Sequence, residues 1–570
     1  MNRIHHRIQW VCVGWLIAAF IAFAQVENVQ INNPVYTFLK RMEVKGIITK
    51  YHDGFLSFSR AEVAQFLQTI NQQREHLTAT EREMLDDFKT EFAQELHLQD
   101  VQRTVLFSDS TSLPQRLTDL FRWKEKYLYT WQDSTTSLFV NFLFAADFRS
   151  GNGNTYGNTT AETERIGGRI RGTIGNHFGY FLQGTNGLVF GDKIFVRSDP
   201  RLRENYKLSE PNSNSFDEVE GYVKLHTDWL TLQVGRERLL WGNSLDSDGK
   251  LYISDNASPF DMIRFDAEYG IVKFSFIHGW LLSENKAVYN SYSWSYDTYL
   301  SPKYIAGHRI ELSFPHIFDI AANEMLIYSR PSPELAYLNP LNFFKSAEHS
   351  LQDRDNSLLA FDMETHFLEN LQFSGSILID DMDFKMLGTR AYVNQFAYQA
   401  GAYYIEPAGL ENTDIAVEYT RINPYVYSHH IPVNMYANHG FILGNPLGPN
   451  SDAWKIRVGY LILRQLQVDG SFVRERHGDN LIDANGVLIT NVGGNALMGH
   501  RSGDAMDVDF LGGARTNTNR YSVHIVYQFT KNFFCETRYE YRLAHVTSPI
   551  DGVVSNVIDR YLTIQIRCDL

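Results

Sequence analysis

The chain has 570 residues, a formal net charge of −14 at pH 7 and only three cysteines. Its acidity disfavours a nucleic-acid partner, because binding to a phosphate backbone needs clustered Lys and Arg. Aromatic residues make up 14% of the chain, with 31 Tyr and 38 Phe. This composition favours a cell-envelope protein over a cytosolic enzyme, since membrane-interface girdles are built from aromatic rings.

The amino terminus has the pattern of a secretory signal. Arg3 and Arg7 precede an apolar run from Trp10 to Phe23, and Ala22-Phe23-Ala24 offers a small-x-small cleavage site. Residues 1–24 are therefore predicted to be a signal peptide, and the exported chain is expected to begin near Gln25. Its removal takes away two arginines and no acid, which leaves a net charge of −16.

Residues 25–105 have helical patterns and are predicted to form a small periplasmic helical bundle. Residues 34–45 carry apolar side chains at helical spacing, with Pro34 in the first turn and Gly46 as a stop. Capping boxes at 59–62 and 78–81 open two further amphipathic helices. Residues 106–123 are expected to be a linker.

Residues 124–570 are predicted to form a transmembrane antiparallel β-barrel, which makes the protein mainly β. No stretch after Gln25 approaches the roughly 20 apolar residues that a membrane helix needs. A spanning sheet must then close on itself. The last ten residues alternate strictly, with one face formed by Leu562, Ile564, Ile566, Cys568 and Leu570. The length of this part predicts about 16 to 18 strands.

Charged residues alternate along several predicted strands. Arg165, Arg169 and Arg171 share one face, and a late strand carries Glu536, Arg538, Glu540 and Arg542 on one face. Such rows can pair across strands and fill the interior. We expect a partly plugged lumen; a soluble β-sandwich with solvated charged faces is the alternative.

Short turns alternate with long polar connections, as in a barrel with short periplasmic turns and long extracellular loops. The long connections are residues 151–162, 192–217, 283–301 and 477–517. An even number of strands follows if both ends of the barrel lie in the periplasm.

Several stretches resemble the capsule assembly Wzi family of outer-membrane barrels. They are Phe38–Ile47, Gly235–Asn243 (GRERLLWGN), Leu251–Pro259, Glu334–Leu341, Arg421–His429 and Gly444–Asn450. The resemblance covers nearly the whole mature chain and looks closer to the divergent members of the family. It implies a barrel of about eighteen strands with a periplasmic helical bundle, acting as a surface lectin that retains capsular polysaccharide.

Two groups of residues are candidate polysaccharide contacts. Sugars present hydroxyl edges and apolar faces, so a site combines planar polar groups with exposed rings. The groups are Glu237, Arg238, Trp241 and Asn243, and then Arg421, Asn423, Tyr425 and Tyr427. The alternatives are structural: girdle or loop-packing aromatics, a lumen ion pair at Glu237, and a turn at Asn423-Pro424.

No catalytic or metal motif is convincing. His429, His430 and His439 lack an acid or Cys at ligand spacing. The run Asp380-Asp381-Met382-Asp383 lacks the Gly and distal Glu of a calcium loop. The chain is therefore predicted to be non-enzymatic, without a cofactor or a metal.

A disulfide between the last two strands is conceivable. If their loop runs from about Ala544 to Asp559, Cys535 and Cys568 face each other on the lipid side. Two reduced cysteines acting as small apolar residues are the alternative, because a register slip of one residue separates the thiols.

Together these patterns predict an outer-membrane protein that binds surface or capsular polysaccharide and helps its attachment or assembly. A diffusion channel for small solutes and a structural component of a surface adhesion or motility assembly are the alternative functions. The expected partners are the polysaccharide, outer-membrane lipid and the barrel insertion machinery. A monomer is expected.

Overall fold

The computed structural model describes residues 25–98, 103–107, 112–203, 205–210, 212–256, 258–290, 295–483, 485–547 and 552–570, so the predicted signal peptide lies outside the described residues. The chain forms a closed antiparallel barrel of 18 strands. The strands are β1 (Ser137–Gly153), β2 (Gly157–Ile174), β3 (Phe178–Gly191), β4 (Ser215–His226), β5 (Leu230–Glu237), β6 (Phe260–Tyr269), β7 (Val272–Asn290), β8 (Ser295–Phe314), β9 (Phe318–Tyr328), β10 (Asn356–Thr365), β11 (Leu371–Asp381), β12 (Gln395–Ile405), β13 (Thr413–Ile422), β14 (Ser451–Leu463), β15 (Leu466–Asp479), β16 (Ala514–Thr530), β17 (Phe533–Thr547) and β18 (Val554–Asp569). The predicted fold class is confirmed.

The carboxyl-terminal strand closes the barrel, as the alternation of its residues predicted. β18 pairs with β17 on one side and with β1 on the other, where Asp569 lies opposite Leu143. Below the chain end, a short strand at Tyr129–Gln132 takes over the pairing with β1. The seam is therefore continuous along the whole length of β1.

The two faces of the wall follow the predicted period of two. On β2, Ile166 is 56% exposed on the outer face, whereas Arg171 points inward and its Nη1 lies 2.7 Å from Glu27 Oε1. Apolar side chains thus form the outer band, and charged side chains point into the lumen.

Two predicted loops are wrong. Residues 283–301 were expected to be a loop, but β7 extends to Asn290 and β8 begins at Ser295. Residues 151–162 likewise form the ends of β1 and β2 around a turn at 154–156. Their Asn, Gly and Ser content predicted a loop, whereas the ladder is made by backbone groups and tolerates polar side chains above the apolar band.

Three helices precede the barrel: α1 (Val35–Val44), α2 (Arg60–Gln72) and α3 (Ala79–Glu91). Both predicted capping boxes are confirmed, at Ser59 with Glu62 and at Thr78 with Glu81. The helices bury a shared core that includes Phe38, Leu67 and Leu85. Further short helices lie at Leu113–Asp119, Lys193–Val196, Pro200–Arg203, Tyr206–Ser209, Leu335–Leu338 and Phe344–Ser350. None of the described helices is long and apolar enough to span a membrane.

The helical part closes one end of the barrel. We call residues 25–98 the plug and this end, which carries the short turns, the short-turn end. Lys50 Nζ donates to Gly270 O in one turn (2.7 Å), and Thr78 Oγ1 bonds to Asn412 Oδ1 in another (2.7 Å). Ion pairs such as Lys40 Nζ to Glu364 Oε2 (3.0 Å) attach the plug to the wall.

A segment from the opposite, long-loop end enters the barrel and meets the plug. Residues 238–259, between β5 and β6, form a two-residue antiparallel ladder with plug residues Phe55 and Leu56, which pair with Trp241 and Leu240. Trp241 is fully buried in an apolar cluster that also contains Tyr252 and Tyr427. The lumen is plugged, as expected, but mainly by folded segments of the chain and not only by rows of charges.

The two cysteines of the barrel are not bonded to each other. The register places Cys535 opposite Ile566 and Cys568 opposite Phe533, and both thiols are free. The conceived disulfide is wrong: Thr547 pairs with Val554, so the connection between β17 and β18 is centred one residue earlier than assumed, and each pairing partner lies two positions earlier in β18.

Candidate functional site

The long-loop end carries a cluster of aromatic rings from three loops. Tyr392, in the loop between β11 and β12, stacks on His500, in the loop between β15 and β16; the ring centroids are 3.6 Å apart and the planes 11° apart. Tyr425, just after β13, packs edge-on against both rings at 5.8 and 5.5 Å. Tyr392 and His500 are only partly buried. We call this pair the ring platform.

Tyr425 holds the ring platform in place. Tyr425 has a positive φ of 66°, which is an unusual backbone conformation for a residue with a bulky side chain. Its backbone N–H donates to Gly493 O (2.9 Å), and its hydroxyl donates to Asn491 O (3.2 Å). Burial raises the pKa of Tyr425 above its ordinary value, so the hydroxyl keeps the proton that it donates. The loop that carries His500 is thereby tied to the end of β13.

Planar polar groups surround the platform. Asn423 Nδ2 donates to Asn394 O (3.3 Å), two residues after Tyr392. Arg501, next to His500, lies with its Nη2 2.9 Å from Asp504 Oδ1. Stacked rings beside guanidinium, carboxylate and amide groups offer an apolar surface and several hydrogen-bonding edges, which together suit a sugar.

A second feature is a polar cavity inside the barrel, between the plug and the inner faces of β1 to β4 and β16 to β18. Its volume is about 270 Å³. Its arginines are paired: Arg165 Nη1 with Glu218 Oε2 at 3.4 Å and Arg169 Nη1 with Asp569 Oδ2 at 3.4 Å. Because these arginines are paired with carboxylates of the protein itself, the cavity gives no independent indication of a ligand.

Comparison with known families decides where the chain belongs. The family model described as capsule assembly protein Wzi matches residues 152–542. The chain belongs to this family. A search of curated proteins finds no match.

The fold agrees with that assignment. The structure is similar to Wzi, an outer-membrane protein of Escherichia coli described as a carbohydrate-binding β-barrel involved in group 1 capsule assembly, with 12% identity, a TM-score of 0.53 and coverage of 95% of this chain and 99% of that one. OprD of Pseudomonas aeruginosa gives 10% identity, a TM-score of 0.42 and coverage of 76% and 94%. OccAB4 of Acinetobacter baumannii gives 9% identity, a TM-score of 0.43 and coverage of 76% and 98%. The protein is an outer-membrane barrel, and its family is one of capsule assembly proteins, not of enzymes.

In this Wzi-family barrel, the first predicted contact group lies in the interior. Glu237 accepts hydrogen bonds from Asn28 Nδ2 and Ser57 Oγ of the plug. Trp241 Nε1 donates to Asn323 Oδ1 (2.8 Å). Arg238 pairs with Asp255 (Nη1 to Oδ1, 2.8 Å), and Asn243 is buried. The expectation that these side chains face a surface glycan is wrong, because the segment that carries them folds into the lumen.

The second predicted group is divided. Tyr425 and Tyr427 are fully buried; the first supports the ring platform and the second packs against Tyr436 with centroids 5.6 Å apart. Arg421 and Asn423 are partly exposed. Arg421 lies opposite Tyr398 on the outer face of the wall and stacks over Phe510 at 3.9 Å. Asn423 is the member of this group that borders the platform, where its Nδ2 donates to Asn394 O and its Oδ1 accepts from Arg421 Nε (3.1 Å).

Sequence reasoning missed Tyr392 and His500. Both lie in polar loops, at positions where neither periodicity nor a motif marks them. Their stacking joins residues 108 positions apart, so only the tertiary structure shows it.

The local motifs considered for metal binding do not form ligand sets in the described part of the chain. The sets found there are Glu43 with Asp319 and His366, and Glu43 with Asp53 and Glu364. Neither includes the tandem histidines at 429 and 430 or the acidic run that begins at Asp380.

Proposed function

We propose that this Wzi-family barrel binds surface or capsular polysaccharide at its long-loop end and helps to attach or assemble it at the cell surface, without catalysing a reaction. Family membership supports the association with capsule assembly. The structurally similar Escherichia coli protein is described as a carbohydrate-binding barrel, which supports the same kind of ligand here. The long-loop end faces outward and the plug faces the periplasm, as in other barrels with short periplasmic turns.

The ring platform is the observation that carries this proposal. Sugar rings pack their C–H faces on aromatic rings and present their hydroxyls to planar polar groups at the edges. Tyr392 and His500 supply the rings, and Asn423 with Arg501 supplies such edges. Of the predicted contacts, we retain Asn423. Arg421 lies on the outer face of the wall, and the other six position the loops and the plug.

The filled lumen argues against the alternative of a diffusion channel. Plug residues and the segment 238–259 meet at the ladder of Phe55 with Trp241 inside the barrel. On the side of β6 to β13, a solute path would have to pass through an apolar cluster whose members are almost fully buried. We expect no measurable conductance from the intact protein.

The remaining partner proposals follow from the outer surface. The apolar outer band contacts outer-membrane lipid, and the exported chain needs the barrel insertion machinery to reach the membrane. We expect a monomer.

The binding test uses purified protein in detergent and the surface polysaccharide isolated from the same organism. Tyr392→Ala and His500→Ala each remove one ring of the platform, and loss of a stacked ring is expected to cost about 1–3 kcal/mol, or roughly 5- to 150-fold in affinity. Phe384→Ala is the matched control, because Phe384 is 77% exposed on the same loop as Tyr392. Equal affinity of all four proteins would reject the platform as the binding site.

The cellular test deletes the gene and quantifies cell-attached and released polysaccharide by monosaccharide analysis. A fall in the attached fraction with a matching rise in the medium is expected, and wild-type protein and the Phe384→Ala variant should restore attachment. Unchanged partitioning would refute the attachment role. Conductance of the intact protein in planar bilayers would then favour the channel.

A further inference from the structure

We propose that Glu43, Asp319 and His366 form a binding site for a divalent transition-metal ion that fastens the plug to the barrel wall. Glu43 belongs to α1, Asp319 is the second residue of β9 and His366 lies in the turn after β10, so the three residues come from three separate parts of the fold. One ligand atom from each lies within 4.8 Å of the others. We call this set the α1 clasp.

The atoms that face the centre of the clasp are the ones without hydrogen-bond partners. Glu43 is only 3% exposed, yet its Oε1 has no partner, and neither has His366 Nε2. Nε2 lies 3.1 Å from Asp319 Oδ2 and 4.0 Å from Glu43 Oε1, but its ring geometry directs no hydrogen bond at either oxygen. Buried polar atoms left unpaired cost stability, so a partner is expected between them.

The opposite oxygens of both carboxylates are already used. Glu43 Oε2 accepts from Lys40 Nζ (2.9 Å) and from Gln372 Nε2 (3.3 Å). Asp319 Oδ1 accepts from Ser313 Oγ (2.5 Å). These contacts hold each carboxylate with its free oxygen directed at the imidazole, which is how outer-shell groups orient metal ligands.

The carboxylates around the α1 clasp also favour binding of a cation. Asp53 Oδ2 and Glu364 Oε2 lie 2.8 and 3.0 Å from the same Lys40 ammonium that contacts Glu43. Together with Asp319 the group holds four carboxylates around the Lys40 ammonium and the His366 imidazole. Crowded carboxylates repel one another, and a divalent ion bound between them would relieve that repulsion.

The ligand types and spacing fit zinc. Nitrogen and oxygen ligands bind Zn²⁺ at about 2.0–2.1 Å in a tetrahedron, which places neighbouring ligand atoms about 3.3 Å apart. The distance of 3.1 Å between Nε2 and Asp319 Oδ2 lies close to that value, whereas Glu43 Oε1, 4.0 Å from Nε2, would move inward on binding. One imidazole with two carboxylates is a donor set for Zn²⁺ more than for Ca²⁺ or Mg²⁺, which prefer oxygen alone.

A metal in the clasp would connect the plug to two strands at the short-turn end. Binding energy available only to the assembled state stabilises that state. Zinc is therefore expected to slow amide hydrogen exchange of α1 while leaving exchange in the loops at the opposite end unchanged.

The test uses the full-length protein in detergent, stripped with a chelator and then titrated with Zn²⁺ alone. One equivalent is expected to bind. His366→Gln and Asp319→Asn each remove one ligand and should weaken binding by at least about 100-fold, since losing even an outer-shell group costs 10- to 100-fold. Asp53→Asn is the matched control, because it removes a carboxylate beside Lys40 and keeps all three ligands.

Heat-modifiable migration in SDS gels checks that each variant is folded. If either ligand variant fails to fold, the other carries the comparison, and zinc protection of α1 in the wild type carries the proposal if both fail. Binding below one equivalent in the wild type would overturn the site. A loss in Asp53→Asn as large as that in the two ligand variants would overturn this choice of ligands.

Discussion

Replacing Trp241 with alanine should open the junction between the plug and the inward segment 238–259. The indole is completely buried, contacts the Phe55 ring edge-on at a centroid distance of 4.7 Å and donates to Asn323 Oδ1. The neighbouring backbone bonds join the two segments: Gly242 N–H donates to Gly54 O at 2.8 Å. Loss of the ring removes the packing that holds this ladder together.

The size of the effect follows from the buried ring. A Trp→Ala change in a core costs about 3–5 kcal/mol. If this cost falls on the local opening of the junction, the open population rises by about 150- to 5,000-fold. Trp241→Phe keeps most of the packing and loses one hydrogen bond, worth about 1 kcal/mol, and Asn323 Oδ1 still accepts from Arg309 Nη1 at 2.9 Å.

Hydrogen exchange followed by mass spectrometry measures this opening. Peptides covering residues 52–58 and 239–243 should exchange much faster in Trp241→Ala and only slightly faster in Trp241→Phe. Peptides from β16 to β18 should not change. Wild-type exchange at the junction in the alanine variant would refute the conclusion that Trp241 holds the plug and the inward segment together.

Three further predictions concern the plug and the wall. Gly54→Ala places a methyl group against the Arg309 guanidinium and should destabilise the protein by about 1–3 kcal/mol, so that the folded band in SDS gels is lost at a lower temperature. In Gly470→Ala the methyl group meets nothing within 4 Å, and the temperature should not change. Burial opposes ionisation of Glu81, but Lys45 and Arg41 lower its pKa. The stability that ionised Glu81 contributes is therefore complete above about pH 4.5 and lost as pH falls through the folded pKa. The protection of α3 amides, measured against the intrinsic exchange rate at each pH, should therefore be lower at pH 3 than at pH 6. Mass spectrometry without reduction should find the cysteines of β17 and β18 as free thiols.

The wall was predictable because its determinants are local. Alternation in residues 562–570 and in the Arg165 strand sets which side chains face lipid, and the capping boxes at Ser59 and Thr78 set where helices begin. The strand count lies within the predicted range, because each strand needs a similar number of residues to cross the membrane and the count therefore follows from the length of the chain. None of these features depends on residues far away in the sequence.

The interior was not predictable because its arrangement depends on contacts between residues that are far apart in the sequence. A polar loop after β5 has the same composition whether it extends outward or folds into the lumen, and only the fit of Trp241 beside Phe55 decides between the two. Hence Trp241, an aromatic side chain predicted to contact a sugar, is completely buried. Tyr392 and His500 carried no local signal, since a stack across loops leaves no periodicity.

The contacts inside the barrel join its two ends. The plug touches the short turns, and through Phe55 and Leu56 it also pairs with a segment that comes from the long-loop end. That segment continues into Leu251, whose carbonyl oxygen accepts from the Tyr427 hydroxyl at 2.6 Å, and Tyr427 lies two residues from the Tyr425 that supports the ring platform. A chain of direct contacts therefore runs from the plug to the proposed polysaccharide site.

Loosening the junction by Trp241→Ala should weaken polysaccharide binding even though Trp241 touches no ligand, and Trp241→Phe should restore most of it. Unchanged affinity in the alanine variant, with the junction shown to be open, would mean that the platform is held by the outer loops alone.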